Sequence, residues 1–143
     1  LAQRCLDEAS RYATERIVGG QAIGRYQMVQ HLIADMTVNV EAARLMTRRM
    51  AWTMDRGEAS NRAASQAKYF AGIAAKHAAQ SAAEIFAGYA LADEYPISKI
   101  TAYVNMLCTG EGTPNVQRIL IAEDTLGYKD ANRHPVRNPR GKS

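Results

Sequence analysis

Apolar residues in this chain recur at intervals of three and four, and glycine or proline marks the breaks between the runs. Over residues 1–15, Leu1, Cys5, Leu6, Ala9 and Tyr12 share a helical face, and Gly19-Gly20 ends it. A longer stripe steps through Ile23, Tyr26, Val29, Ile33, Met36, Val40, Ala43, Met46, Met50 and Met54. It predicts a helix roughly 48 Å long, stopped at Asp55-Arg56-Gly57. Residues 60–89 are dense in alanine, the strongest helix former, with Tyr69, Phe70, Ile73, Ile85 and Phe86 as larger knobs. Pro96 suits the first turn of a short helix over 96–106. Thr113 and Pro114 are N-cap and first residue of a last helix, whose apolar face is Val116, Ile119, Leu120 and Leu126 and whose stop is Gly127. No window sustains a period of two. The pattern predicts an all-α antiparallel up-and-down bundle, with two long helices plus shorter ones.

Composition adds bounds. The chain has 143 residues, 47% hydrophobic and 22% charged, which fits one globular domain with its own core. Cys5 and Cys108 cannot make a disulfide framework. Charges interrupt every apolar stretch before ~18 residues, so no membrane span is expected. The opening LAQRCLDEAS lacks the charge and apolar order of a signal peptide, and it starts within a helical pattern. The net charge of +4 lies in the last residues, where Arg133, Arg137, Arg140 and Lys142 meet no acid. Without those four, basic and acidic residues balance at fourteen each. The chain therefore divides into a bundle over 1–128 and a basic tail over 129–143 containing Pro135, Pro139 and Gly141. The tail has no aromatic residue to stack on a base beyond Arg133, so no nucleic-acid partner is expected.

Candidate chemistry centres on Glu111 in Gly110-Glu111-Gly112-Thr113-Pro114. The flanking glycines leave the carboxylate unobstructed, and the next helix aims N–H groups and a positive partial charge at the loop. A carboxylate there can serve as a general base, or simply as an exposed or capping residue. Gly19, Gly20 and Gly24 beside Arg16 and Arg25 lack the dinucleotide spacing and read as a turn. His31, His77 and His134 show no metal-ligand spacing, so no metal is expected. Glu41 and Arg44 pair locally on a face continued by Arg48 and Arg49.

Several separated blocks, in order and covering residues 1 to about 128, resemble the C-terminal helical domain of the acyl-CoA dehydrogenase family. They are Arg16 with Gly20, Ile23, Tyr26, Gln27 and Gln30; LIADM at 32–36 with EAAR at 41–44; and Met50-Ala51-Trp52 with Asp55 and Gly57. Ala67-Lys68, Glu94-Tyr95-Pro96, and Glu111-Gly112-Thr113 with Gln117-Arg118 complete the set. The resemblance implies an FAD-dependent oxidoreductase that converts an acyl-CoA thioester to a 2-enoyl-CoA. Glu111 aligns with the catalytic base, and Gly110 and Gly112 would lie against the substrate. Arg16 and Gln27 align with contacts to the flavin diphosphate or adenosine of a neighbouring subunit. Glu84, Ala87 and Gly88 occupy a flavin loop, and Thr113 and Asn115 the flavin-contacting start of the last helix. A dimer or tetramer, an electron-transfer flavoprotein as acceptor, and a bacterial cytoplasmic or mitochondrial matrix location are likewise implied.

Some positions depart from the family pattern. Gly19 and Gly110 stand where aromatics are usual, Glu84 replaces glutamine, Ala87 replaces glycine, and Ala102-Tyr103-Val104 replaces an R-D-A segment. Gly110 points to a substrate that is branched, cyclic or otherwise bulky at the reacting carbons. Family members also carry an N-terminal helical domain and a middle β domain. The 143-residue chain alone is therefore expected to show neither tight FAD binding nor turnover. The alternative is a non-catalytic helical subunit or oligomerisation module, in keeping with the altered flavin loops.

Overall fold

The computed structural model describes residues 1–58 and 60–128, and the basic tail read over 129–143 lies outside them. Five helices carry the fold: α1 (Ala2–Glu15), α2 (Gln27–Asp55), α3 (Asn61–Phe86), α4 (Ile97–Thr109) and α5 (Pro114–Leu126). Helix α3 is the spine, in contact with each of the other four. Its alanines make this possible: Ala67, Ala74, Ala78, Ala79 and Ala82 are buried and let neighbouring backbones approach closely.

Cross-contacts fix the antiparallel order. Arg44 Nη2 donates to Gln3 Oε1 at 2.6 Å, while Gly24 lies against Ala13, so α2 descends as α1 ascends. Cys108 Sγ donates to the Gly72 carbonyl at 3.1 Å, setting α4 against α3. Arg118 Nε meets the Tyr69 hydroxyl at 3.1 Å and Arg62 meets Asp124 at 3.3 Å, which runs α5 against α3.

The all-α expectation holds with one addition. Ile17–Val18 and Gln21–Ala22 form a two-stranded antiparallel hairpin, β1 and β2. Gly19 and Gly20, at φ 61° and 82°, form the two-residue turn whose twist such a hairpin requires. Each strand has only two residues, too few to register as an alternation. The Tyr26 hydroxyl donates to the Val18 carbonyl at 2.9 Å and ties the hairpin down.

Three boundaries shift. Residues Ile23–Arg25 form a 3₁₀ turn, and Tyr26 is extended, so α2 opens at Gln27 rather than at Ile23. Helix α3 stops at Phe86, not Tyr89, because Ala87 takes φ 50° and ψ −133° and a 3₁₀ turn follows over Ala87–Leu91. Helix α4 runs on to Thr109, where Lys68 Nζ donates to the Leu107 carbonyl at 2.8 Å.

The expected face of α5 is also corrected. Val116, Ile119, Leu120 and Leu126 are exposed, and Gln117 is the buried residue of this helix. A stripe on a sequence shows which residues avoid water, not which neighbour covers them. Here α3 meets the side of α5 that carries Gln117 and Arg118.

Ala87 holds a backbone conformation that L side chains rarely adopt, at a cost of order 1–3 kcal/mol. Glycine removes that strain but adds chain entropy to the unfolded state, worth about 0.5–1 kcal/mol. Ala87→Gly is therefore expected to stabilise the fold by about 1 kcal/mol. A denaturant midpoint that stays put or falls would contradict the strain.

Candidate active site

Most of the residues singled out in the sequence fall into two groups along α3, one at its C-terminal end and one beside its middle. The first surrounds the helix's C-terminal end. Arg16, Ala87 and Gly88 line a cavity of about 540 Å³ together with Tyr12, Phe86 and Tyr89. Arg16 follows α1 and is extended there, at φ −73° and ψ 120°. Its guanidinium lies 5.1 Å from the centre of the Tyr89 ring, and among the described residues it makes no ion pair. Its donors therefore remain open to an anion.

Packed aromatics build the wall. Tyr12 stacks on Phe86 at 4.1 Å, and Tyr95 meets both edge-on at 5.6 and 5.0 Å. Burial pushes the Tyr12 hydroxyl up from its ordinary value, partly offset by the Arg16 charge. The ring stays neutral at physiological pH. A flat apolar wall beside an uncommitted guanidinium suits a nucleotide: a ring to lie on the wall, a phosphate to meet the arginine. Gly88 adds an open approach, since a Cβ there would meet nothing within 4 Å.

Two expected contacts stand apart from this lining. Gln27 is exposed at the first position of α2. Glu84 is exposed on the last turn of α3, where Gln80 Nε2 donates to its carboxylate at 3.2 Å. Glu84 is not among the residues that line the cavity, so its negative charge does not face an anion held there.

The second group is the loop from α4 to α5. Gly110 caps α4 in ordinary extended geometry, φ −64° and ψ 144°. Glu111 then turns left-handed at φ 55° and Gly112 reaches φ 106°. Thr113 begins α5: its hydroxyl accepts from the Val116 N–H at 3.3 Å, and Pro114 follows. Asn115 Oδ1 accepts from Arg118 Nη1 at 2.8 Å, and that guanidinium lies 4.9 Å from the Tyr69 ring centre. Glu111 is exposed and makes no ion pair among the described residues. An unpaired carboxylate on a rigidly capped loop is chemically available to take a proton.

Gly72, which accepts from Cys108 just before the loop, and Phe86, at the first group, are fourteen residues apart on α3, roughly 21 Å at ~1.5 Å per residue. The two groups are therefore separate half-sites. Sequence reasoning missed the Tyr12–Phe86–Tyr89–Tyr95 wall, because those rings meet only once α1 lies against the end of α3. It also passed over Gln117 as a motif letter without a role.

Cysteines and histidines offer little further chemistry. Cys5 and Cys108 are buried free thiols, and burial pushes the Cys5 thiol up, away from the reactive thiolate. His31 Nε2 does stand 3.5 Å from Asp35, one turn along α2. Among the described residues no group of three His, Cys, Asp or Glu could hold a metal ion. No helix among them is long and apolar enough to cross a membrane.

Comparison with known proteins places this geometry in a family. The family model for the acyl-CoA dehydrogenase C-terminal domain matches residues 1–126. A glutaryl-CoA dehydrogenase of Desulfococcus multivorans is 40% identical over 134 residues, 93% of this chain and 34% of the relative. The structure of a glutaryl-coenzyme A dehydrogenase in complex with glutaryl-CoA superposes with a TM-score of 0.87 at 38% identity, covering 92% of this chain and 34% of the other. The FAD complex of PigA superposes with a TM-score of 0.83 at 28% identity, covering 88% and 33%. The chain thus spans about a third of the length of the relatives it matches. By sequence and by fold, the chain belongs to the acyl-CoA dehydrogenase family, as its C-terminal domain.

Proposed function

We propose that this domain supplies the catalytic base and part of the cofactor and subunit surfaces of an FAD-dependent acyl-CoA dehydrogenase. The reaction is α,β-dehydrogenation of an acyl-CoA thioester to a 2-enoyl-CoA. FAD, when bound, accepts the hydride from the β-carbon. The observation that carries the reading is Glu111 itself: exposed, unpaired among the described residues, and held left-handed between two glycines at the mouth of α5.

In this reading a Glu111 carboxylate oxygen takes the α-proton. Its backbone N–H donates to the thioester carbonyl, which acidifies that proton. Gly112 lies against the acyl-CoA. Thr113 and Asn115 sit where the α5 N-terminus favours an anionic or hydroxylated group. Arg16 holds a diphosphate through charge-assisted hydrogen bonds, while Ala87, Gly88 and the aromatic wall take the adjoining nucleoside. In this reading the two half-sites, roughly 21 Å apart along α3, serve the cofactors of different subunits in a dimer or tetramer. Gln27 opens α2 close to Arg16 in sequence and belongs with it on the neighbour's flavin; Glu84 contributes backbone more than charge. An electron-transfer flavoprotein is the acceptor that fits such an enzyme.

Gly110 refines the substrate. Its backbone suits any residue, and a Cβ there would find the Met106 carbonyl at an ordinary 3.5 Å. Nothing in this fold demands glycine, so its value lies in the room it leaves beside Glu111. That room favours an acyl group branched or cyclic at the reacting carbons.

Retention of FAD by the holoenzyme tests the cofactor half-site. Losing hydrogen bonds to a charged group costs about 1.5–3 kcal/mol, so Arg16→Ala is expected to weaken FAD roughly 10- to 150-fold. Arg16→Lys should recover only part of this, because a point charge lacks the fork. Equal FAD retention by Arg16→Ala and wild type would remove Arg16 from the site.

A further inference from the structure

We infer that Gln117 is a positioning residue for Glu111. The inference rests on the base assigned above. Gln117 is the buried residue of α5, 8% exposed, on a helix where Val116, Ile119, Leu120 and Leu126 are exposed. A helix that spends its interior position on a carboxamide has placed it against something specific. That neighbour is the loop. A Cβ on Gly112 would fall 2.5 Å from Gln117 Nε2 and 3.7 Å from its Cδ. The amide therefore occupies the space in front of Gly112.

The arrangement explains two features together. Gly112 suits glycine for its φ of 106°, and the amide sits where a side chain would begin. Glu111, one residue earlier, holds φ 55°, a conformation unfavourable for glutamate without support. Gln117 reaches back across the first turn of α5, whose start is fixed by Thr113: the Thr113 carbonyl accepts from the Gln117 N–H at 3.1 Å, and its hydroxyl accepts from Val116. The side chain thus braces the loop from a capped, rigid base, and so sets the direction in which the Glu111 carboxylate leaves it. Gln117 touches neither substrate nor cofactor in this role; it acts through Glu111.

The test is exchange of the acyl-CoA α-hydrogen with D2O, together with steady-state kinetics, in the holoenzyme. Gln117→Ala is expected to slow exchange and lower kcat by roughly 10- to 100-fold, the usual effect of a small misplacement, with KM changed less than about threefold. Gln117→Met keeps the length and shape of the side chain and should bring exchange back to within about threefold of wild type. In a Glu111→Gln background, Gln117→Ala should lower the residual rate no further, since residues acting as one unit are not additive. Wild-type exchange in a folded Gln117→Ala overturns the inference and leaves the base assignment standing. An equal loss in the presence and absence of Glu111 also overturns it, as does a failure of Gln117→Met to recover. Wild-type exchange in Glu111→Gln overturns both readings.

Discussion

Glu111→Gln is expected to lower the rate of α-proton abstraction by about 10²–10⁴-fold, the usual contribution of a positioned general base. Glutamine keeps the length and shape of glutamate but cannot take up the proton. The fold should not notice the change: Glu111 is exposed and makes no ion pair among the described residues. FAD retention and thermal stability should therefore match wild type, and KM should move little. This selectivity is what makes the variant decisive. Stopped-flow reduction of the flavin by acyl-CoA reads the step directly. Reduction within a few-fold of wild type would sink the assignment, and with it the catalytic reading of the loop. A non-catalytic subunit would show no change at all, because its partner would carry the base.

The largest effect on stability should come from Phe86→Ala. Phe86 is 1% exposed, stacked on Tyr12 and edge-on to Tyr95. Truncating a buried phenylalanine costs about 3–5 kcal/mol from lost transfer energy and the cavity left behind. The aromatic pairs add about 0.5–1.5 kcal/mol each, and their loss places this site toward the upper end of that range. Against a total stability of about 5–15 kcal/mol, this is a large fraction. Urea unfolding should show the midpoint falling sharply with little change in slope. The same variant should loosen FAD, since Phe86 lines the cavity beside Arg16. A loss below about 1 kcal/mol would mean the end of α3 collapses onto the gap, and that the aromatic wall is not a rigid surface.

Much of this was legible in the sequence. Periodicity gave the helices because α1 to α4 each bury one face against α3 or its neighbours, as the stripe through Met36, Val40 and Ala43 shows. Capping residues fixed the start of α5, since Thr113 and Pro114 act through local backbone bonds. The outward face of α5 was not legible. Val116, Ile119 and Leu120 have the spacing of a core stripe, and hydrophobic spacing carries no information about which side a neighbour occupies. The hairpin was missed because two residues per strand cannot show a period. At the candidate site, Glu111 was visible through its flanking glycines, but its role came only with the family resemblance. Gln117 and the Tyr12 wall depend on contacts between residues distant in sequence or on the shape of a loop, and no local pattern encodes these.

The length of α3 has a consequence for how such an enzyme can change over generations. Substitutions roughly 21 Å apart with no shared partners combine additively. Under the roles proposed above, the cofactor surface at the end of α3 can drift without disturbing proton transfer beside the helix's middle. Under the same roles, the space around Gly110 can change while the cofactor surface stays under separate selection. The alanine spine would then act as insulation between two heritable traits.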